Sequence, residues 1–587
     1  MRGNQHPDHE DGAPATIRDD VTSTTVTEET PLLDSSRSPS PTASSGTSET
    51  YPDEVDALDK PNQSVSRERG IAIILSVYLL IFMLSTNMSG IVMVQSLIAE
   101  DLESYENAMW FTTSFLVAMS SMSPLMGKLA TIFSPRAMIL VSSVLFAIGC
   151  IVTSQARSFA VFILGRVITG LGGGGTMVLA FILVLELTTK RKRGFFIGLI
   201  NAGFTTGVSL GAVVFGAFAS STGWRILFAI QTPIAFLAGC AIFLSIPSTF
   251  SSGQGKDENV SVATKLKRID YLGAVFLSAT VILFLFGLSI NIQPIPLGLS
   301  LATLVVFVLI EKYCAADPII PLSVLQNRGA LLSCLSQLSF MAARWTVLFY
   351  SPMTALAVFG FNPAASGSVL IPTNFGFGLG GLLVGAFHIR RSGSFWAPAL
   401  LCIVLFGISL FALSVSSTRD TPFALYVVIV FFNGLFTGGT LNYTLAHLLH
   451  LTVPEAHYVA TSLLGTFRGF AGSFGSAIGG GIFARTLRDS LETGLKAIDG
   501  TDNLSKDRMD LIRKLIGSPA LVYHGGLTPA ERDVAVASYS GALHVLFQAA
   551  IVFTAFVLVL QASTGWKGPA DKKKDLEEPV NADEATQ

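Results

Sequence analysis

Acidic charge is what this chain lacks where it is most apolar. Only 13% of its residues are charged, and none of the long apolar stretches between Ile71 and Ala562 carries an Asp or Glu in its interior. With half the residues hydrophobic, the chain holds more apolar surface than one soluble core of this length can bury, which excludes an ordinary soluble protein. Cysteine is scarce too. Cys150, Cys240, Cys314, Cys334 and Cys402 show neither metal-like nor disulfide-like spacing, so they read as core packing and no metal site is expected. The net charge of -2 comes with basic residues scattered among short loops, so no nucleic-acid partner is expected. No signal-peptide apolar region stands near the start. The glycine run Gly172 to Gly175 has no Lys-Ser/Thr after it and no strand before it, which argues against a nucleotide site. No convergent Ser/His/Asp or metal-ligand set lies within the spans, so neither enzyme activity nor a cofactor is expected.

What is present is a series of apolar runs near the ~20 residues that cross a bilayer as helix. About fourteen such runs can be counted between residues 71 and 562, too long and too uniform for barrel strands of roughly ten alternating residues. The expected class is therefore an all-α integral membrane protein. The expected divisions are a disordered cytosolic tail at 1–69, a six-helix unit at 70–246, a cytosolic loop at 247–269, and a helix pair with linker at 270–328. A second six-helix unit at 329–562 with an outer loop at 485–537, and a tail at 563–587, complete the order.

Basic residues set the orientation. Lys190 to Arg193, Lys265, Lys267, Arg268, Arg390, Arg391 and Lys572 to Lys574 all fall on one side for this count, which puts both termini in the cytosol. In the outer loop, Met509, Leu511, Ile512, Leu515 and Ile516 could form the apolar face of an interfacial helix. Thr528 to Glu531 spells a capping box with Pro529 at the first helical position, opening the last helix. Asn503 begins the glycosylation pattern of that loop. In the first tail, Glu28 with Leu32 and Leu33 matches an acidic-dileucine sorting pattern, pointing to a vacuolar or endosomal address.

Arg166, Arg344 and Arg468 sit inside apolar runs. A cation in hydrocarbon without a carboxylate normally faces a wet cavity or holds an anion; the bland alternative is that each binds carbonyls and amides and fixes helix positions. Asn87, Gln95, Asn201, Gln231, Gln337, Asn374, Asn433 and Asn442 lie in spans as well and are candidates for lining a passage, although polar residues of this kind mostly hold helices together. Gly203, Gly207 and Gly211 put a groove on one helix face, for packing or for gating. His447, His450 and His457 cluster at one helix end and read as a solvated loop.

Three local sequences resemble the major facilitator superfamily. Leu164 to Gly175, ending near Lys190 to Gly194, is similar to its fourth-helix signature. Gly127-Lys128-Leu129 with Arg136 resembles its loop between the second and third helices. Lys267 to Gly273, Glu311 and Asp317 to Leu322 are similar to the seventh and eighth helices of the fourteen-helix branch, the fungal drug:proton antiporters with their toxin-pump and vacuolar relatives. The resemblance implies two six-helix bundles with an inserted helix pair, a mid-membrane substrate site between them, and gating by Lys128, Arg136, Glu186 and Arg193 with the glycine groove. It also implies protons as a coupling ion. Yet Asn87 stands where that branch usually has an acidic residue, and Thr131 replaces the loop Asp. Asn cannot carry a proton in the physiological range, which leaves Glu100, Asp101, Glu186, Asp270 and Glu311 at helix ends. Gly211-Ala212 replaces the usual Gly-Pro pair. The expected function is secondary active export, from cell or into vacuole, of a small organic molecule such as a fungal metabolite, toxin or drug, anionic if the arginines meet it, by a monomer in the lipid bilayer. Vacuolar transport of basic amino acids, and a non-transporting receptor, are the alternatives.

Overall fold

The computed structural model describes residues 66–187, 190–247, 269–288, 292–314, 327–385, 395–452 and 457–565. The first helices are α1 (Arg67–Asp101), α2 (Met109–Ile132), α3 (Pro135–Ser154), α4 (Phe159–Leu187), α5 (Lys190–Thr222), α6 (Trp224–Ala229) and α7 (Gln231–Ser245). Then come α8 (Tyr271–Gly287) and α9 (Pro294–Tyr313). The remainder are α10 (Arg328–Ala357), α11 (Pro363–Ser368), α12 (Leu370–Leu383), α13 (Trp396–Ser416), α14 (Phe423–Leu451), α15 (His457–Asp499), α16 (Lys506–Gly517), α17 (Leu521–His524) and α18 (Pro529–Ala562).

Local chemistry sets several starts. Ser134 accepts the Ala137 amide ahead of Pro135, Asp270 accepts that of Gly273, and Asn327 accepts those of Gly329 and Ala330. The capping box read at Thr528 and Glu531 forms with both of its bonds. Among the described residues ten helices are long and apolar enough to cross a membrane. The outward surface explains where they belong, because large aliphatic side chains such as Leu244, Leu382 and Val552 are more than 70% exposed. An all-round apolar surface on helices that satisfy their own backbone suits hydrocarbon.

Two sets of helices repeat one packing scheme. In the first set α4 packs on α2 and α3, α1 on α5, and α3 on α7; in the second α14 packs on α12 and α13, α10 on α15, and α13 on α18. Counting α6–α7 and α11–α12 as single members, first to sixth helices correspond in order. The sets meet along two seams, α5 against α11–α12 and α2 against α15. The pair α8–α9 leans on the second seam through Trp110 on Phe286 and Phe284 on Phe474, and Phe307 of α9 packs with Ala330, Cys334 and Leu448 of the second set.

Two expectations need correction. The outer loop does not begin at residue 485, since α15 continues unbroken to Asp499. Nor is α16 interfacial: Ile512, Leu515 and Ile516 are buried against the protein, with α15, α1 and the short 3-10 turn Tyr105–Asn107 as neighbours, and Met509 points outward. The apolar stripe was real, but the surface it covers is the outer end of the helices.

Candidate functional site

Arg166 is wholly buried inside the first set. Its Nη1 donates to Asn87 Oδ1 and its Nε to the Phe111 carbonyl at 2.8 Å, while its guanidinium lies over the Phe115 ring at 4.6 Å and the Phe228 ring at 5.7 Å. Asn87 passes the contact on, donating to Gln231 Oε1 at 3.1 Å. Arg166 Nη2 is buried without a hydrogen-bond partner. Ring faces offset part of the charge that no carboxylate balances.

Arg344 is caged in the second set. Nη1 donates to Thr373 Oγ1 at 2.6 Å and Asn433 Oδ1 at 2.8 Å, Nη2 reaches the Thr373 carbonyl at 3.4 Å, and Asn433 donates onward to Ser409 at 2.9 Å. The expectation that these cations look into a wet passage is therefore corrected for Arg166 and Arg344. Carbonyl, hydroxyl and amide acceptors on neighbouring helices hold both guanidiniums, so Arg166, Asn87, Gln231, Arg344 and Asn433 are engaged between helices in this conformation.

Arg468 is different. It is half-buried on α15, and Cβ atoms added at its neighbours Gly465 and Gly469 would meet open space. Further along the same helix, Gly472 comes up against Trp345, which stacks on Phe349 at 5.3 Å and meets Phe204 of α5 edge-on at 6.4 Å. Beyond this aromatic wall lies a pocket between the two sets, with Gln95, Glu106, Thr112, Tyr350, Met353, Ser476, Phe483 and Ile516 among its lining residues.

The other sequence candidates scatter. Asn374 donates to Ser209 at 2.9 Å, joining α12 to α5 across the first seam, and Thr113 meets Ser476 at 3.2 Å across the second. Gln337 is buried and accepts from Thr444, a link within the second set. Asn442 bonds its own helix at Gly438, and Asn201 is exposed. Arg136 donates to the Phe243 carbonyl at 2.7 Å and covers that ring, tying α3 to α7. Lys128 is half-buried; the side chains of Glu186 and Arg193, and Glu28, Leu32 and Leu33, lie outside the described residues. Asn503 is exposed.

The glycine groove is occupied by α1: a Cβ at Gly207 would stand 1.9 Å from Ser85 Oγ, and one at Gly211 2.6 Å from Thr86 Cα. The run Gly172 to Gly175 lies in mid-helix. Asp101 pairs with Arg225 at 2.6 Å, and Asp270 is used as a cap. His447 is buried against Thr564 rather than solvated, because α14 runs on past it to Leu451. Sequence reading missed Glu106, Trp345 and the Arg488 and Arg513 partners of Glu106; the acidic residue in so short an outer link was the available signal.

Two repeated helical halves with a pocket at their seam are the architecture of a membrane transporter of the secondary active kind. The chain belongs to the major facilitator superfamily, whose family model matches residues 75–476. Similar proteins include MFS transporter L2 of Phoma sp., 27% identical over 84% of this chain and 81% of that protein. The vacuolar membrane amino acid uptake transporter fnx2 of Schizosaccharomyces pombe is 28% identical over 77% of each chain, and efflux pump dotC of Dothistroma septosporum is 31% identical over 52% of this chain and 51% of the pump. Among solved structures, a bacterial homolog of the human lysosomal transporter Spinster, inward-facing and unoccupied, superposes with a TM-score of 0.58 at 14% identity over 86% of this chain and 100% of that one. That likeness concerns the fold alone.

Proposed function

We propose that the protein exports a small organic molecule from the cytosol, outward or into a vacuole, by rocking its two halves about the central pocket. In this reading the helices make fourteen crossings, α2, α8, α11–α12 and α15 adding to the ten apolar ones, and both termini are cytosolic. The observation that carries it is the asymmetry of α15. Its cytosolic half carries the half-buried Arg468 between Gly465 and Gly469, whose Cβ positions are open, whereas its outer half is ion-paired at Arg488. That is the arrangement of a carrier open to the cytosol. Substrate is recognised by Arg468 and by the aromatic and hydroxyl-bearing pocket beyond Trp345, with no covalent chemistry.

The preference for an anionic or acceptor-rich substrate now rests on Arg468 alone. A hydrogen bond to a charged group contributes about 1.5–3 kcal/mol, so losing it should lower affinity at least about tenfold. In proteoliposomes, Arg468→Ala is expected to reduce flux of a carboxylate-bearing tracer by that factor and to spare a neutral one. Equal loss for both tracers would remove the charge preference, and no flux of any tracer would favour a receptor. Vacuolar uptake of basic amino acids is a second reading, supported by the dileucine pattern and by a relative named for vacuolar amino acid uptake. Lysine flux into isolated vacuoles that exceeds flux of the carboxylate tracer would favour it.

A further inference from the structure

We propose that Asn503 is the residue of this chain that carries an N-linked oligosaccharide. Five Asn-X-Ser/Thr patterns occur, beginning at Asn62, Asn87, Asn259, Asn442 and Asn503. All five satisfy the pattern, and the fold separates them. Asn87 is buried in mid-helix against Arg166 and Gln231, and Asn442 donates to the Gly438 carbonyl within α14, so neither is within reach of an enzyme working in water. Asn62 and Asn259 lie outside the described residues. Arg67 and Arg69 follow the first, and Lys265, Lys267 and Arg268 follow the second, which puts both on the cytosolic face. That leaves Asn503.

Its surroundings suit the modification. Because α15 runs as helix to Asp499, the loop starts about 20 Å beyond Arg485, the first charged residue after the apolar part of that helix. Gly500, at φ 62°, turns the chain out of the helix, and Asn503 is exposed, with its carboxamide bonded to no described residue. Ser505, the hydroxyl member of the pattern, is exposed as well and accepts the Arg508 amide at 3.3 Å as the cap of α16. The transfer is a substitution at carbon. The amide nitrogen of Asn503 bonds the anomeric carbon of a lipid-diphosphate-linked oligosaccharide, the co-reactant, and loses one proton to a base on the transferase. The bond from that carbon to the diphosphate oxygen breaks, and the lipid diphosphate leaves with the bonding pair. A bulky, hydrated chain at this place is remote from the moving seam. Asn503 precedes α16, whereas Gly517, which rests on Tyr105 of the first half, ends it, about 18 Å of helix away.

This inference rests on the orientation proposed above, with the loop after α15 on the outer or lumenal side. The test expresses the full chain in a yeast host and digests its membranes with peptide-N-glycosidase F in oxygen-18 water. Gel mobility is followed together with peptide mass spectrometry, in which each released glycan leaves a labelled carboxylate at the former amide. Wild type should gain mobility by the loss of one glycan, with the label at position 503 alone. Asn503→Gln and Ser505→Ala should run at the digested position before digestion. Ser505→Thr, which keeps both the pattern and the cap, should run as wild type does and guards against a folding defect in Ser505→Ala. Undigested wild type already at the mobility of Asn503→Gln would overturn the modification, while tracer flux in the same membranes tests the export reading separately. A label at Asn62 or Asn259 would mean that the chain lies the other way across the bilayer, and would overturn this inference together with the cytosolic termini.

Discussion

In the first half the buried guanidinium stands on the fourth helix and its amide partner on the first; in the second half the guanidinium stands on the first helix and the amide on the fourth. Both cages lock the same pair of helices, and the third helix closes each, with Cys150 beside Asn87 and Ser409 beside Asn433. They differ in completeness. Arg344 has a hydroxyl, a carbonyl and an amide oxygen, whereas Arg166 has one carbonyl, one amide oxygen, two ring faces and a bare Nη2. A polar lock can thus be built with its parts exchanged, but the two versions need not be equally strong.

Removing the amides should expose that difference most. Asn87→Leu leaves Arg166 with the Phe111 carbonyl alone and is expected to cost about 3–5 kcal/mol, the range for stripping a partner from a buried charge. Asn433→Leu leaves both Thr373 contacts in place and should cost about 1–3 kcal/mol, the penalty of one lost buried bond. Thermal unfolding in detergent, followed by intrinsic fluorescence, measures both. Equal losses would mean that ring faces hold Arg166 as well as hydrogen bonds hold Arg344, and the comparison would break.

The converse substitution gives a smaller effect. Asn87→Asp places a carboxylate against the under-satisfied Arg166 and offers its bare Nη2 an acceptor, at the loss of the donor to Gln231. A net stabilisation of about 1 kcal/mol is expected from the charge-assisted bond. Asn433→Asp should gain less, since Arg344 is already served. A larger rise in melting temperature for Asn433→Asp would reverse the ranking.

Much of this was legible in the residues, and the rest failed for identifiable reasons. Apolar runs gave the helices because length in hydrocarbon is a strict requirement, and the start of α18 was readable from Thr528 and Glu531 because capping is local. The fate of Arg166 was not readable, since its partners Asn87 and Phe111 come from other helices and are neutral. Searching for carboxylates alone could not find them. The outer half of α15 was misjudged because Arg485, Arg488 and Asp489 read as loop by hydropathy, though they continue a helix that has left the hydrocarbon. Glu106 stood out only as an acidic residue in a short link, since its partners Arg488 and Arg513 lie far along the chain.

The halves differ again in how the fifth helix joins the sixth. Gly223 alone separates α5 from α6, whereas α15 and α18 are joined through α16 and α17. Arg508 organises this extra cap, bonding Asp499 at 2.9 and 3.0 Å and also Glu531. Its hydrogen bond, with the Thr528 amide second, holds the Glu531 carboxyl below the usual range. A depressed folded-state pKa means that this stabilisation is present above the unfolded carboxylate value of about 4.3 and is lost as pH falls through the lower folded value. Arg508 stays charged throughout, so the acid response reads Glu531. Because the pair is partly solvated, its worth is about 1 kcal/mol or less. A nitroxide on Lys506→Cys should therefore gain mobility gradually below about pH 4, with Arg508→Ala mobile already at neutral pH. Glu531→Gln should flatten the acid response. If instead Glu531→Gln kept the full response, the cap would be held by its apolar face of Ile512 and Leu515. The second half would then differ from the first in length of chain and not in electrostatics.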